Sequence, residues 1–239
     1  VWAELKGIKV LQPTTLTDES FVNELHEENC ELFIVASYGK IIPNIVLEMP
    51  KHGVLNVHPS LLPLYRGPSP LQSVLLNGDQ TTGVTIMKLD EKMDHGPILV
   101  QTAFLVNPET NAGKLEVECG QLGGELLVQV LPAYLEGSLI PKEQNHAEAT
   151  LCKKITKDLG EITLDTKADI VRRKFRALTP WPSLYFFHKH NGKEMRFKVT
   201  SVDLSSFQEA GATAKDILLS VIPEGKKEIA FKDFLRSYM

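Results

Sequence analysis

Residues 53–63 read GVLNVHPSLLP, a short apolar run that passes directly into a polar loop containing two prolines. The first part of this segment, Gly53–Val57, has the length and composition of a buried strand. Runs of the same kind flank it along the chain. The sequence predicts further strands at Ile8–Leu11, Leu32–Ala36, Thr82–Leu89 and Pro97–Val106.

Amphipathic stretches lie between several of these runs and are predicted to form helices. The pattern gives helices at Asp18–Glu28, from Pro43 to Glu48, at Pro68–Leu76 and at Ala112–Glu136. In the last of these, leucines recur at helical spacing, which is typical of a helix with one buried face. Alternation of strands and helices favours an α/β layer with a largely parallel sheet.

The character of the sequence changes after Gly137. Residues 138–150 are polar and are predicted to link a first domain, residues 1–137, to a second domain, residues 151–239. The second domain opens with a basic helix at Lys167–Ala177. Short β-prone runs follow at Leu184–Phe187, Met195–Val202, Ile217–Val221 and Glu228–Phe231. So many short strands in so short a segment favour a small β-barrel or sandwich.

Composition places the chain among ordinary globular proteins. It has 239 residues, of which 43% are hydrophobic and 23% charged, so intrinsic disorder is excluded. Cys30, Cys119 and Cys152 lie far apart, which argues against a zinc site or a disulfide framework and is typical of thiols in a reducing compartment. No apolar run approaches the roughly 18 residues of a membrane span, and no signal-peptide pattern is visible.

Charge is divided unevenly along the chain. Residues 1–150 contain 9 lysines and arginines against 19 acidic residues, whereas residues 151–239 contain 17 against 11. An acidic part followed by a basic part suggests two modules, the second of which faces a polyanion. The alternative is a solvated lysine-rich face without a partner.

Asn56 and His58 stand at the end of the Gly53–Val57 strand, where ligands bind in open α/β sheets. Residues two apart on a strand project to the same face, so both side chains are predicted to point one way. An amide and an imidazole together can bind a carbonyl oxygen and stabilise the oxyanion that it becomes. The alternative is a pair that merely caps the strand end.

A carboxylate partner for the imidazole is predicted in the turn between the two β-prone runs Thr82–Leu89 and Pro97–Val106. Asp94 could hold the tautomer of His58 and raise its pKa. Asp90 is a competing candidate, but Gly96, two residues after Asp94, allows the backbone to approach a ligand closely.

These residues resemble a known family. The segment NVHPSLLPLYRGPSPLQSVLLNGDQTTGVTIMKLDEKMDHGPIL is similar to the formyltransferases that use 10-formyltetrahydrofolate. The resemblance implies that Asn56, His58 and Asp94 are the catalytic residues and that the fold is a Rossmann-like, mostly parallel sheet. It also implies a loop that contacts folate, formed by Ser60, Leu61, Leu62 and Pro63.

Further motifs select one branch of that family. The segments RGPSPLQ, TGVTIM, ALTPWPS and PEGKK, which start at Arg66, Thr82, Ala177 and Pro223, resemble the members that formylate methionyl-tRNA. The resemblance implies an OB-like second domain that binds tRNA, a monomer without membrane association, and a location in the bacterial cytoplasm or in an organelle. The family's usual first strand, glycine-containing loop and helix match no part of this chain, so we expect the sequence to be a fragment.

Basic clusters in the second domain are candidates for tRNA contacts through phosphates. One cluster lies on the predicted helix and the other flanks a hairpin turn, and together they comprise Arg172, Arg173, Lys174, Arg176, Lys189, Lys193, Arg196 and Lys198. Trp181 could stack on a base, but packing in the core or between the modules is the favoured interpretation. No metal site is expected, because the histidines lack ligand spacing.

The implied reaction moves a formyl group from folate to the α-amine of methionyl-tRNA. Asn56 and a protonated His58 would donate to the oxyanion, and Asp94 would keep His58 charged and accept the proton of the amine. His58 could instead protonate the departing folate nitrogen. Two other functions remain open: formylation of a small amine such as a sugar nucleotide or ribonucleotide, and RNA binding by a protein whose formyltransferase domain is degenerate.

Overall fold

The computed structural model describes residues 2–205 and 211–239. The first part of the chain contains α1 (Trp2–Leu5), α2 (Glu19–Glu27), β1 (Phe33–Ala36), α3 (Asn44–Leu47), β2 (Val54–His58), α4 (Pro70–Asn77), β3 (Thr81–Lys88), β4 (Ile98–Leu105) and α5 (Ala112–Leu135). The second part contains α6 (Ala168–Leu178), β5 (Tyr185–His190), β6 (Lys193–Val202), α7 (Ala214–Ile217), β7 (Leu218–Pro223), β8 (Ile229–Ala230) and α8 (Phe231–Tyr238).

The first sheet has the order β1-β2-β3-β4 and carries α5 on one face, which confirms the predicted α/β class. Only part of its pairing is parallel: β1 and β2 are parallel, whereas β2–β3 and β3–β4 are antiparallel. The described sheet is therefore mixed rather than mostly parallel. The short loop 89–97 explains the last pair, because a parallel connection needs a crossover of a dozen or more residues.

Helix α5 lies close to the sheet because it has a glycine at the crossing point. A Cβ atom on Gly123 would come within 2.5 Å of a methyl group of Val57. On the same side of the helix, Leu115, Cys119 and Leu126 are buried. Asn111 caps the helix by accepting a hydrogen bond from the amide of Lys114 at 3.0 Å.

The second sheet is antiparallel throughout, in the order β5-β6-β7-β8. Phe186 and Phe197 pack on Phe234 of α8, with ring centroids 5.3 and 4.8 Å away. The expected second, β-rich domain is confirmed. Its described strands form an open sheet rather than a closed barrel.

The two parts of the chain share one hydrophobic core. Helix α4 packs against α6, and Val74 and Leu75 of α4 belong to the same buried cluster as Val171 and Leu178 of α6. The domain boundaries at residues 137 and 151 stay predictions. Ile8–Leu11, predicted as a strand, has no regular secondary structure.

Candidate active site

Strand β2 fixes the orientation of the two polar residues at its end. It lies between β1 and β3, where Asn56 is paired with Val35 and Met87, and His58 with Thr85. Hydrogen bonding on both sides of the strand holds its backbone. Because Asn56 and His58 are two residues apart, they project to the same face, as predicted.

The turn after β3 brings Asp94 to the same place. The amide Nδ2 of Asn56 lies 3.5 Å from Asp94 Oδ1, and His58 Nδ1 lies 3.6 Å from that same oxygen. The other carboxylate oxygen, Oδ2, accepts a hydrogen bond from the backbone amide of Gly67 at 2.7 Å. The three predicted catalytic residues therefore meet, and Asn56 and His58 both face the carboxylate of Asp94.

Asp90, the competing carboxylate, has another partner. Its Oδ2 accepts a hydrogen bond from His95 Nδ1 at 2.7 Å. Gly96 has a role within the turn itself. A Cβ atom at this position would come 2.1 Å from the carbonyl oxygen of Lys88, so the glycine allows the turn to pack on its own strand. Its approach to a ligand stays a prediction.

His58 lies between two hydrogen-bond acceptors. Its Nε2 donates to the carbonyl oxygen of Tyr65 at 3.1 Å, and its Nδ1 lies 3.6 Å from Asp94 Oδ1. Burial lowers the pKa of His58 below the ordinary value of 6.5, and the Asp94 charge and the Tyr65 carbonyl oppose this only in part. The lowered pKa argues against the prediction that Asp94 keeps His58 charged in the free protein, because burial has the larger effect.

A cavity of about 410 Å³ opens in front of these three side chains. Its other walls include Tyr38 and Ile41. This size and mixed lining are typical of small-molecule sites. The sequence carries no signal for the loop after β1, because its role in the wall depends on which strand lies beside β2.

The predicted folate loop is not part of the described lining of this cavity, which includes none of Ser60, Leu61, Leu62 or Pro63. Ser60 is fully buried, and its hydroxyl donates to the carbonyl oxygen of Leu64 at 2.6 Å. Leu62 is buried too, and its amide donates to Thr85 Oγ1 at 3.2 Å. These contacts give the loop its shape, and the contact with folate stays a prediction.

The basic side chains of α6 point to carbonyl oxygens of the protein. Arg173 donates to the carbonyl of Asn77 at 3.1 Å, and Arg176 donates to that of Thr110 at 2.7 Å. Both acceptors belong to the first part of the chain. Arg172 and Lys174 donate to the carbonyls of Asp203 and Glu161, each at 2.9 Å. This helix therefore connects the two parts of the chain, and a tRNA contact by these four residues stays a prediction.

The basic residues of the β5–β6 hairpin have a different setting. Lys189, Lys193, Arg196 and Lys198 are all exposed. The guanidinium of Arg196 lies 4.0 Å from the ring centroid of Tyr185, which keeps it on the outer face of the sheet. These four cations remain accessible to a polyanion.

Two other sequence features can now be placed. Trp181 is 55% exposed, so it does not belong to the core, and packing between the modules stays a prediction. His188 contacts the carbonyl of Tyr238 at 2.8 Å. Within residues 2–205 and 211–239, no group of three potential ligands could hold a metal ion, and no helix is long and apolar enough to span a membrane.

Two functional candidates were missed in the sequence. Arg66 and Gln144 are buried beside the Asp94 turn and hydrogen-bond to each other at 2.6 and 3.1 Å. They lie 78 positions apart, and Gln144 belongs to the segment predicted as a linker. The only feature of Gln144 visible in the sequence is its position in a polar stretch. Such a position does not distinguish a buried side chain from a solvated one.

Comparison with known families agrees with this two-part architecture. A model of the formyl transferase family matches residues 3–131, and a model of the formyl transferase C-terminal domain matches residues 154–239. The site at the end of β2 thus lies in the fold of a family of group-transfer enzymes. It combines an amide, an imidazole and a carboxylate. The chain belongs to the formyl transferase family, and the resemblance described above is confirmed.

Curated relatives carry a more specific name. The chain is 46% identical over 181 residues to a methionyl-tRNA formyltransferase of Chloroflexus aurantiacus, an alignment that covers 76% of this chain and 58% of the relative. It is 36% identical to the methionyl-tRNA formyltransferase of Thermus thermophilus, with 99% of this chain and 80% of the relative covered. The match to the first of these relatives thus spans little more than half of its length.

Solved structures share the fold. Methionyl-tRNA formyltransferase from Clostridium thermocellum superposes with a TM-score of 0.61 at 20% identity, covering 90% of this chain and 85% of that one. HypX from Aquifex aeolicus, solved in complex with tetrahydrofolic acid, gives a TM-score of 0.67 at 18% identity, with 90% of this chain and 40% of that one covered.

Proposed function

We propose that the protein transfers a formyl group from 10-formyltetrahydrofolate to the α-amino group of methionyl-tRNA. The observation that carries this proposal is the meeting of Asn56, His58 and Asp94 at one cavity in a chain of the formyl transferase family. Relatives named methionyl-tRNA formyltransferase support the choice of acceptor.

Each of the three residues has a role suited to its environment. 10-Formyltetrahydrofolate supplies the formyl group. As the amine nitrogen bonds to the formyl carbon, Asn56 Nδ2 donates to the oxygen that gains the negative charge. His58, whose pKa is lowered by burial, accepts the proton that the amine loses. It returns that proton to the folate nitrogen as the bond from this nitrogen to the formyl carbon breaks.

Asp94 orients the imidazole and stabilises its charged form during the reaction. Its Oδ1 lies 3.6 Å from His58 Nδ1, where a positive charge develops when the proton is accepted. The Gly67 amide fixes the other oxygen. The carboxylate thus compensates, at the moment of transfer, for the desolvation that lowers the pKa of His58.

The exposed hairpin cations are the proposed contacts for the tRNA backbone. Charge supports this, because the second part of the chain is basic while the first is acidic. Helix α6 contributes less, since its cations already donate to carbonyl oxygens. A monomer in the bacterial cytoplasm is the setting that we propose for this reaction.

The proposal is tested by incubating the protein with 10-formyltetrahydrofolate and either methionyl-tRNA or a set of small amines, while folate release is followed. We expect release that depends on methionyl-tRNA and a formylated α-amine as product. Transfer to small amines alone would contradict the proposed acceptor. RNA binding without folate release would identify a binding protein instead.

A further inference from the structure

Residues 138–152, called the strap here, are fixed to the first part of the chain at both ends. Near the start, Lys142 and Ile98 exchange backbone hydrogen bonds of 2.7 and 2.8 Å. Near the end, the backbone amide of Arg66 donates to the carbonyl of Thr150 at 2.9 Å, and the backbone carbonyl of Arg66 accepts from the amide of Cys152 at 2.8 Å. The segment predicted as a linker therefore follows a defined path along the first part of the chain.

Gln144 is the residue of the strap that reaches inward, and it is 6% exposed. Its Nε2 donates to the carbonyl oxygens of Asp94 at 2.9 Å and Gly96 at 2.7 Å. Its Oε1 accepts from Arg66 Nε at 3.1 Å and from the terminal nitrogen of Arg66 at 2.6 Å. Both donor hydrogens of the amide are used, and the arginine fixes which end of the amide faces the turn.

The turn held by Gln144 is one that needs support. Asp94 has a φ of 48°, a left-handed conformation that side-chain-bearing residues rarely adopt. The two carbonyls that bind Gln144 lie on either side of His95, so together they fix the rotation of the turn. Stacking of His95 on His146 of the strap, with centroids 4.0 Å apart, adds a second contact.

We propose that Gln144, held by Arg66, is a positioning residue that aims the Asp94 carboxylate at His58 and Asn56. The amide locks the backbone on both sides of the turn, and the Asp94 side chain can then accept the Gly67 amide with one oxygen and face His58 with the other. The catalytic significance of this contact rests on the proposed function, whereas the positioning itself can be measured without any reaction.

The test uses Gln144→Glu, which keeps the shape of the side chain and can pair with Arg66. Its carboxylate has no hydrogens to donate and repels the carbonyls of Asp94 and Gly96. The control is Gln121→Glu, the same chemical change at an exposed position of α5. The first readout is the proton resonance of the Gly67 amide, which reports its hydrogen bond to Asp94. The second is kcat and KM for formyl transfer.

We expect the Gly67 resonance to move upfield in Gln144→Glu and to stay in place in Gln121→Glu. The value of kcat should fall roughly tenfold to hundredfold, because small displacements of a catalytic group have effects of this size. KM for methionyl-tRNA should change by less than about twofold, as expected when only the transition state is affected. Gln144→Met, neutral and of similar length, should move the resonance in the same direction and covers the case in which the glutamate variant does not fold.

An unchanged Gly67 resonance in a folded Gln144 variant would overturn the proposal, whatever the rate. A reduced rate with an unchanged resonance would likewise assign Gln144 another role. If the unmodified protein transfers no formyl group, the proposed function fails, and the resonance still decides whether Gln144 positions the turn.

Discussion

The cavity at the end of β2 and the basic surface of helix α6 each bring polar side chains together. The fold uses the two groups of side chains differently. At the cavity, Asn56 and Asp94 are 38 positions apart and come within 3.5 Å. On α6, Arg173 and Arg176 are near neighbours in sequence, but they reach the carbonyls of Asn77 and Thr110. The residues of the cavity leave a space for a ligand between them, whereas these arginines are engaged in contacts between the two parts of the chain.

The difference shows which polar residues in a sequence indicate a ligand site. A strand end in a sheet is a point where loops from neighbouring strands meet, so polar residues there converge on one cavity. On a helix each residue is turned by about a hundred degrees from the one before it, because a turn takes about 3.6 residues. Arg173 and Arg176, three residues apart, therefore share one face of α6, and both are engaged in contacts with the first part of the chain.

The largest expected effect concerns the converging site. Asp94→Asn removes the negative charge while keeping the size of the side chain. We expect kcat to fall roughly 100-fold or more, because His58 loses the group that stabilises its charged form. Methionyl-tRNA affinity should be almost unchanged. Asp158→Asn, the same change at an exposed position, is the control. Equal rates for the two variants would remove Asp94 from the mechanism.

The next effect distinguishes the two basic regions. Combined alanine substitutions at Lys189, Lys193 and Lys198 should weaken tRNA binding and flatten its dependence on salt. Each lost phosphate contact is expected to lower the slope of log affinity against log salt by about one. The matched variant carries alanine at Arg172, Arg173, Lys174 and Arg176, and its slope should change less. The reverse result, in folded variants, would assign tRNA to α6.

A smaller effect is expected on stability when the contact between the two parts of the chain is broken. Arg176→Ala leaves the buried carbonyl of Thr110 without its 2.7 Å donor. We expect the free energy of unfolding to fall by about 1–3 kcal/mol, the usual cost of an unsatisfied buried group. Denaturant unfolding measures this. Lys189→Ala, at an exposed position, should change stability by less than about 0.5 kcal/mol; a similar loss in both variants would contradict a connecting role for α6.

The smallest expected effect is a pH dependence that comes from buried His58. Its pKa is lowered in the folded state, so below the ordinary value of 6.5 the unfolded state binds more protons. The free energy of unfolding should therefore decrease as the pH falls below that value, by at most about 1.4 kcal/mol per pH unit. His58→Gln should reduce this slope, whereas His26→Gln, at an exposed position, should not. Equal slopes for the unmodified protein and His58→Gln would show that His58 titrates normally.

Much of this architecture could be predicted from local pattern. The apolar run at Gly53–Val57 corresponds to β2, and the capped stretch after Asp18 corresponds to α2. The site could be predicted because strand periodicity alone orients Asn56 and His58. In each of these cases the signal lies within a few residues, and tertiary packing reinforces it.

The features that could not be predicted from the sequence depend on contacts between distant segments. Strand direction was misjudged for β3 because it is set by pairing with β2 and β4 rather than by composition. The state of His58 depends on how deeply the assembled fold buries it. Gln144 looked like part of a solvated linker, because neither its burial nor its bonds to the Asp94 turn can be seen in a polar sequence.

The central claim is that formyl transfer takes place at the end of β2 and depends on the imidazole of His58. The most direct test is the single-turnover rate of formyl transfer by His58→Ala, with 10-formyltetrahydrofolate and methionyl-tRNA both saturating. Saturation removes differences in binding, so the rate reports the chemical step. We predict a rate lower by roughly 100-fold or more, with tRNA affinity retained. A rate close to that of the unmodified protein would contradict the claim and place the chemistry on other residues.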